Sequence, residues 1–174
     1  MIIKNYKNKT VLKGMSLKEI EQWCQNQELS NFRAKQIYQW MYRHGVSQSD
    51  GMKNLSKDLQ QKIDKSCVLE TLKIEKIDES STEPTQKILF KTIDNHFIEA
   101  VSMLEGNRHT ICISSQIGCN VDCDFCATAS MGLIRNLMTG EIIDQAIAIR
   151  RIVKKPITNI VFMGMGEPFL NYNQ

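Results

Sequence analysis

The chain has 174 residues, 42% of them hydrophobic, with 22 Lys and Arg against 19 Asp and Glu and a formal charge of +3. That is enough apolar material for a packed core, and a length suited to one ordinary domain or a small domain joined to part of a larger one. A polybasic tail is excluded, and no run is long and apolar enough to span a membrane. The opening Met1-Ile-Ile-Lys-Asn-Tyr-Lys lacks the apolar stretch of a secretory signal, so the expected compartment is the cytoplasm. Residues 1–80 carry 14 Lys and Arg against 10 Asp and Glu, and the remainder 8 against 9. A mildly basic first part fits contact with a phosphate backbone, and an ordinary solvated surface equally well.

The first third predicts helices. Ser16-Leu-Lys-Glu19 is a capping box opening a helix to about Gln27, with Leu17, Ile20, Trp23 and Cys24 inward. A second helix is expected from Asn31 to Gly45, with Phe32, Ile37, Trp40 and Met41 recurring at helical spacing. A third starts at Ser56 and carries Leu59 and Ile63 toward Cys67. Both tryptophans sit on apolar stripes and are expected in the core. Strands follow at 68–77, 87–93 and 97–104, with Asp94-Asn95 as a hairpin turn. Glu105-Gly-Asn107 is the expected border between accessory and catalytic parts. The expected domains are a helical accessory domain at 1–67, a β-hairpin connecting segment at 68–105, and the start of a catalytic core at 106–174.

From Thr110 the order is strand, cysteine loop, helix, strand, glycine loop. Thr139 is expected to cap a helix to about Lys154, with Ile142, Ala146, Ile149 and Val153 on one face and Pro156 stopping it. Ile157 to Met163 is a continuous apolar run, as in a strand covered on both faces. This is one βαβ unit of a parallel sheet, whose active residues gather at the C-terminal strand ends. Both candidate motifs follow such ends.

The first motif is Cys119-Asn-Val-Asp-Cys123-Asp-Phe-Cys126. Three thiolates at C-x3-C-x2-C spacing can hold an iron–sulfur cluster and leave one iron open. An open iron can take the amino and carboxylate groups of S-adenosyl-L-methionine (SAM) and pass one electron to its sulfonium. That is the requirement of radical SAM chemistry. Zinc is the competing reading, but structural zinc sites usually bring two C-x2-C pairs or a paired His. The second motif is Met163-Gly-Met-Gly-Glu-Pro168. Its glycines allow close approach of backbone to a ligand, and Glu167 adds an acceptor for the amino end of SAM.

Cys112 to Cys119, the triplet loop with Phe125, the Asn136-Leu segment and Gly164 to Asn171 together resemble the RlmN family. These are radical SAM methyltransferases that modify C2 of an adenine in 23S rRNA and in certain tRNAs. The resemblance runs from the N-terminal helices to the last residues. It implies an α/β fold, the beginning of a radical SAM partial (βα) barrel preceded by a small helical domain and a β-hairpin segment. It implies that Cys119, Cys123 and Cys126 ligate a [4Fe-4S] cluster and that Gly166 and Glu167 contact SAM. In the family one SAM methylates a C-terminal cysteine, and a second yields the radical that takes hydrogen from that methyl group. The carbon radical then adds to the adenine ring, where polar methyl transfer fails because C2 is electron-poor. Cys112 matches the cysteine that releases product through a disulfide, and Glu99 the proton acceptor. Partners implied are 23S rRNA, tRNA and an electron donor such as flavodoxin, with no membrane and a monomeric full-length enzyme. The sister family Cfr, which methylates C8, tends to have Ala where this chain has Pro168.

Parity bears on two of these residues. Cys112 points opposite to Ile111 and Ile113, toward a cleft, with a buried small hydrophobe as the competing reading. Glu99 shares parity with Phe97, Val101 and Met103; an apolar face would raise its pKa, whereas an edge position would leave it in solvent. No cysteine follows Cys126, and the chain stops just past its second core strand. The 174-residue polypeptide alone is therefore expected not to complete methylation. A non-catalytic metal- or RNA-binding module, with helices 16–65 as contact surface, is the alternative.

Overall fold

The computed structural model describes residues 5–174. It divides into two compact units, the first reaching Thr71 and the second running from Leu72 to Gln174.

In the first unit, β1 (Asn5–Tyr6) pairs antiparallel with β2 (Lys9–Val11). Helices α1 (Leu17–Asn26), α2 (Asn31–Tyr38) and α3 (Lys57–Ser66) follow, and β3 (Cys67–Val68) returns parallel to β2. Both halves of the capping box form at α1. The Glu19 N–H donates to Ser16 Oγ, and the Ser16 N–H donates to the Glu19 carboxylate at 2.9 Å. Ser16→Ala is expected to cost about 1 kcal/mol in thermal or denaturant unfolding, the usual worth of a cap. Ile20, Trp23, Cys24, Ala34, Ile37, Met41 and Ile63 share the core of this unit. The second helix does not run uniformly to Gly45. It widens into a π turn at Gln39–Arg43, and Gly45 ends it at φ +68°. Phe32, read as sharing a helical stripe with Ile37, is 64% exposed. It lies five residues before Ile37, about 140° round the helix, so the stripe passes through Ala34 instead. Trp40 is only partly buried; its Nε1 donates to Asn54 and its ring lies against His44.

The second unit is built on strands β4 (Leu72–Glu79), β5 (Thr85–Thr92), β6 (Phe97–Glu105) and β7 (Arg108–Cys112), an antiparallel meander. A short hairpin of β8 (Gln116–Ile117) and β9 (Arg135–Asn136) follows, then α4 (Thr139–Val153) and β10 (Asn159–Val161). β10 pairs parallel with β7, giving the sheet order β10-β7-β6-β5-β4. The mixed α/β class and the βαβ unit β7–α4–β10 are as the sequence predicts. Alternation puts Ile88, Phe90, Ile98, Ala100 and Ile111 into one core with Ala148 and Ile149 of α4. Residues 105–107, read as an inter-domain border, are a tight hairpin turn with Glu105 opposite Arg108 and Gly106 at φ +56°. The strands of 72–105 and the strand leading to the cysteine loop therefore share one sheet.

The expected face of α4 does meet the core, with Ile149 buried and Ile142, Ala146 and Val153 packed beside it, and the buried side also carries Glu141, Asp144, Gln145 and Ala148. Two further expectations change. Met138 occupies the N-cap position, and Thr139 instead donates from Oγ1 to the Gln174 carbonyl. The helix stops at Lys154 in a left-handed conformation, φ +55°, before Pro156. β10 is not covered on both faces, since Ile160 and Phe162 are exposed, and it forms one edge of the sheet. The opposite edge, β4, is lined with Lys73, Glu75 and Lys76, the usual protection of a free edge. No helix among the described residues is long and apolar enough to cross a membrane.

Candidate functional site

The cysteine loop springs from a closed neck. β8 and β9 pair Gln116 with Asn136 and Ile117 with Arg135, and the Ile134 N–H donates to the Ile117 carbonyl. Gly118, at φ +74°, lies so close to Gly132 that an added Cβ would stand 1.7 Å from the Gly132 carbonyl oxygen. The Cys119 N–H donates to that same oxygen at 3.2 Å. All three thiols lie between these points. Cys119 and Cys123 are half-buried, Cys126 is exposed, and all are free. A turn closes the last step, the Cys126 N–H donating to the Cys123 carbonyl at 3.0 Å.

The thiols of this chain divide by environment. The backbone N–H and hydroxyl of Thr128 lower the pKa of Cys126, favouring its thiolate. Burial pushes Cys24 and Cys67 up to about 11, as in inert core thiols. Cys112 is also raised by burial, opposed by the Met163 N–H. Among the described residues no three His, Cys, Asp or Glu side chains converge as ligands of one metal ion. A cluster differs from a single ion in this respect, because each thiolate binds a different iron and the ligands stand farther apart. Three soft, free thiols on one exposed loop, one held toward thiolate, fit such a group. His109 is not disposed to join them: it is buried in β7, with Nε2 on Ser102 Oγ at 2.9 Å.

The glycine loop docks directly on the chain that leads into the cysteine loop. The Met165 carbonyl accepts from the N–H groups of both Ser115 and Gln116, at 2.9 and 3.1 Å. The Gly164 N–H donates to the Ile113 carbonyl, and the Met165 N–H to Ser114 Oγ. The close approach that Gly164 and Gly166 permit is thus to this chain's own backbone. A Cβ on Gly164 would meet the Ile113 carbonyl at 2.8 Å, and one on Gly166 would meet Gln116 Cβ at 2.4 Å. Glu167 is half-buried, and its carboxylate accepts the Phe169 N–H, capping a short turn at Pro168–Asn171.

Glu99 and Cys112 lie on one face of the sheet. Cys112 pairs with Val101 of β6 and Val161 of β10, and Glu99 is two residues from Val101. This face is opposite to the buried Ile98, Ala100 and Ile111. The apolar surround expected for Glu99 is absent: its side chain is 46% exposed and pairs with Lys87 at 3.2 Å. Nor is it at a sheet edge, since β6 is flanked by β5 and β7.

Several residues that build this site carry no motif. The Ser114 N–H and C=O are both taken by the Gln145 carboxamide, at 2.8 and 3.0 Å, and Ser114 Oγ donates to the Glu99 carbonyl. Buried Asn171 donates to the carbonyls of Ser115 and Leu137. Arg135 forks to Asp94 and to fully buried Glu141, with four N–O distances of 2.7–2.8 Å. Burial opposes ionisation of Asp94, but Arg135 and the Thr92 hydroxyl outweigh it and hold the carboxyl down at about 2. Only polar residues recurring inside an apolar helix, Glu141 and Gln145 at i and i+4, signal any of this in the sequence.

Comparison with known proteins agrees with the geometry. Residues 10–69 match the family described as ribosomal RNA large subunit methyltransferase N-terminal domain, and residues 113–174 match the radical SAM superfamily. The dual-specificity RNA methyltransferase RlmN of Geotalea uraniireducens is 42% identical over 163 residues, which are 94% of this chain and 47% of that protein. The probable dual-specificity RNA methyltransferases RlmN of a Thermoanaerobacter species and Bacillus subtilis are 42% and 39% identical, over 94% and 92% of this chain and 47% and 45% of theirs. The crystal structure of a radical SAM methyltransferase from Sphaerobacter thermophilus superimposes with a TM-score of 0.88 at 40% identity, covering 94% of this chain and 49% of that one. The chain spans about half the length of the curated relatives it matches. With a cysteine triplet following one parallel strand, a glycine loop locked to its root from the next, and both family matches in register with them, the chain is similar to the RlmN family over the length it spans.

Proposed function

We propose that this chain carries the cluster- and cofactor-binding part of a radical SAM RNA methyltransferase acting on adenine C2 of 23S rRNA and tRNA. The observation that carries this reading is the junction at Met165, which holds the SAM-loop residues Gly166 and Glu167 beside the root of the cysteine loop. Cys119, Cys123 and Cys126 are the ligands of a [4Fe-4S] cluster. Held by these three thiolates, such a cluster would supply one-electron reduction to the sulfonium of SAM. Gly166 and Glu167 offer carbonyl and carboxylate acceptors to the amino group of SAM.

Glu99 and Cys112 share the half-exposed face of the sheet and take the roles of proton acceptor and product-releasing thiol. Lys87 stands beside Glu99, with Nζ 3.2 Å from its carboxylate. Burial keeps Cys112 as a thiol until a base takes its proton. Pro168 in the glycine loop favours C2 over C8 as the target. The remaining partners are 23S rRNA and tRNA, with an electron donor such as flavodoxin, in the cytoplasm.

The test is anaerobic reconstitution with iron and sulfide. Wild-type protein is expected to bind iron with the visible absorption of a thiolate-bound cluster, and its reduced spectrum to change on adding SAM. Cys119→Ala, Cys123→Ala and Cys126→Ala are each expected to abolish iron retention. Undiminished iron in all three variants, or colourless zinc-loaded protein, would overturn the reading.

A further inference from the structure

Gln116 is 1% exposed, and both ends of its carboxamide are engaged. Oε1 accepts the Glu167 N–H at 2.8 Å, and Nε2 donates to Asn136 Oδ1 at 2.8 Å. Asn136 Nδ2 in turn donates to the Leu170 carbonyl at 3.2 Å. The relay begins on a backbone N–H and ends on a backbone C=O, neither of which can change its hydrogen-bonding sense. Its polarity is therefore fixed, and neither amide can flip. The backbone repeats the link, since the Gln116 N–H donates to Met165 and Gly166 leaves no space for a Cβ against Gln116. Gln116 also opens the neck that projects the cysteine loop.

We propose that Gln116 is a positioning residue: its carboxamide, with Asn136, fixes the spacing between the cysteine loop and the Gly164–Glu167 loop. The role rests on the function proposed above, because that spacing matters where the cluster and the amino end of SAM must meet. Gln116 acts through Glu167 and does not itself touch the cofactor. Its neighbour Asn171, buried and bonded to Ser115 and Leu137, braces the same loops independently, so loss of the relay alone loosens the junction without dismantling it.

The experiment compares Gln116→Met, which keeps the length and removes both polar ends, with Asn136→Leu, which cuts the relay from an exposed position and tests it even where the first variant folds poorly. Hydrogen exchange is read over residues 163–171 and over β5–β6. Both variants are expected to speed exchange about tenfold in the first segment only, the effect of losing one or two net hydrogen bonds. In reconstituted protein, iron per chain should match wild type, while the SAM concentration that half-saturates the change in the reduced-cluster EPR signal rises about tenfold. Exchange within twofold of wild type in both variants would overturn the proposal. So would iron content falling in step with melting temperature, which marks general support of the fold. Wild-type protein that holds iron but shows no response to SAM would sink the proposed function instead, and the exchange comparison still decides the relay.

Discussion

Arg135→Leu is expected to lower the unfolding free energy by about 3–5 kcal/mol, the usual result of stripping a partner from a buried charge. Glu141 is fully buried at the start of α4, and two of the Arg135 contacts at 2.7 Å go to its carboxylate. Without the guanidinium, the Glu141 carboxylate keeps, among the described residues, the Met138 N–H alone. Burial works against the charge on Arg135, but Glu141 and Asp94 more than offset it, so the pKa of the guanidinium is raised. Denaturant unfolding measures the loss. The double variant Arg135→Leu with Glu141→Leu is expected to recover much of it, because an apolar pair leaves no buried charge behind. If the double variant is as unstable as the sum of the singles, the two residues are not coupled. The Asp94 arm has a pH signature. Its folded pKa, about 2, is depressed from 3.8, so its contribution is present above about pH 4 and is lost as pH falls toward 2. Arg135→Leu should flatten that part of the stability profile.

Gly118→Ala is expected to open the neck of the cysteine loop. Two costs combine there: a positive φ of +74° and a Cβ 1.7 Å from a backbone oxygen. The first costs about 1–2 kcal/mol for an L residue. The second cannot be relieved by a side-chain rotation, so the neck must part, with the Cys119–Gly132 and Ile134–Ile117 hydrogen bonds at about 1 kcal/mol each. The sum is about 3–4 kcal/mol, concentrated at the loop. Gly106→Ala is the control: φ is also positive, at +56°, but nothing lies within 4 Å of the added Cβ, and about 1–2 kcal/mol is expected. Limited proteolysis between residues 119 and 131, with iron retention after reconstitution, reads the difference. Equal behaviour of the two variants would show that the close contact at the neck is unimportant.

Motifs that act through local chemistry were legible without coordinates. The capping box at Ser16, the breaks at Gly45 and Pro156, the turn at Asp94-Asn95 and the thiol triplet all depend on neighbours a few residues away. What could not be read was orientation. The inward side of α4 joins the expected Ile142, Ala146, Ile149 and Val153 stripe to polar residues that reach Ser114 and Arg135, 31 and 6 positions away, which no apolar periodicity marks. Phe32 fails for a simpler reason: it stands about 140° round α2 from Ile37, and the buried stripe passes through Ala34 instead. The glycines of 163–168 suggested a ligand cradle, but their first neighbours are Ile113 and Gln116, fifty residues earlier in the chain.

The sequence by itself determined the chemistry on offer: three thiols at cluster spacing, a glycine loop ending in a carboxylate, and parallel-strand ends to carry them. Only the tertiary structure decided how those pieces are held, through the Met165 junction, the Gln116 relay and the Arg135 fork. The physical reason is range. Ligand type and local backbone preference are properties of a few consecutive residues, whereas a buried hydrogen bond or ion pair exists only once packing has excluded water and brought distant partners together.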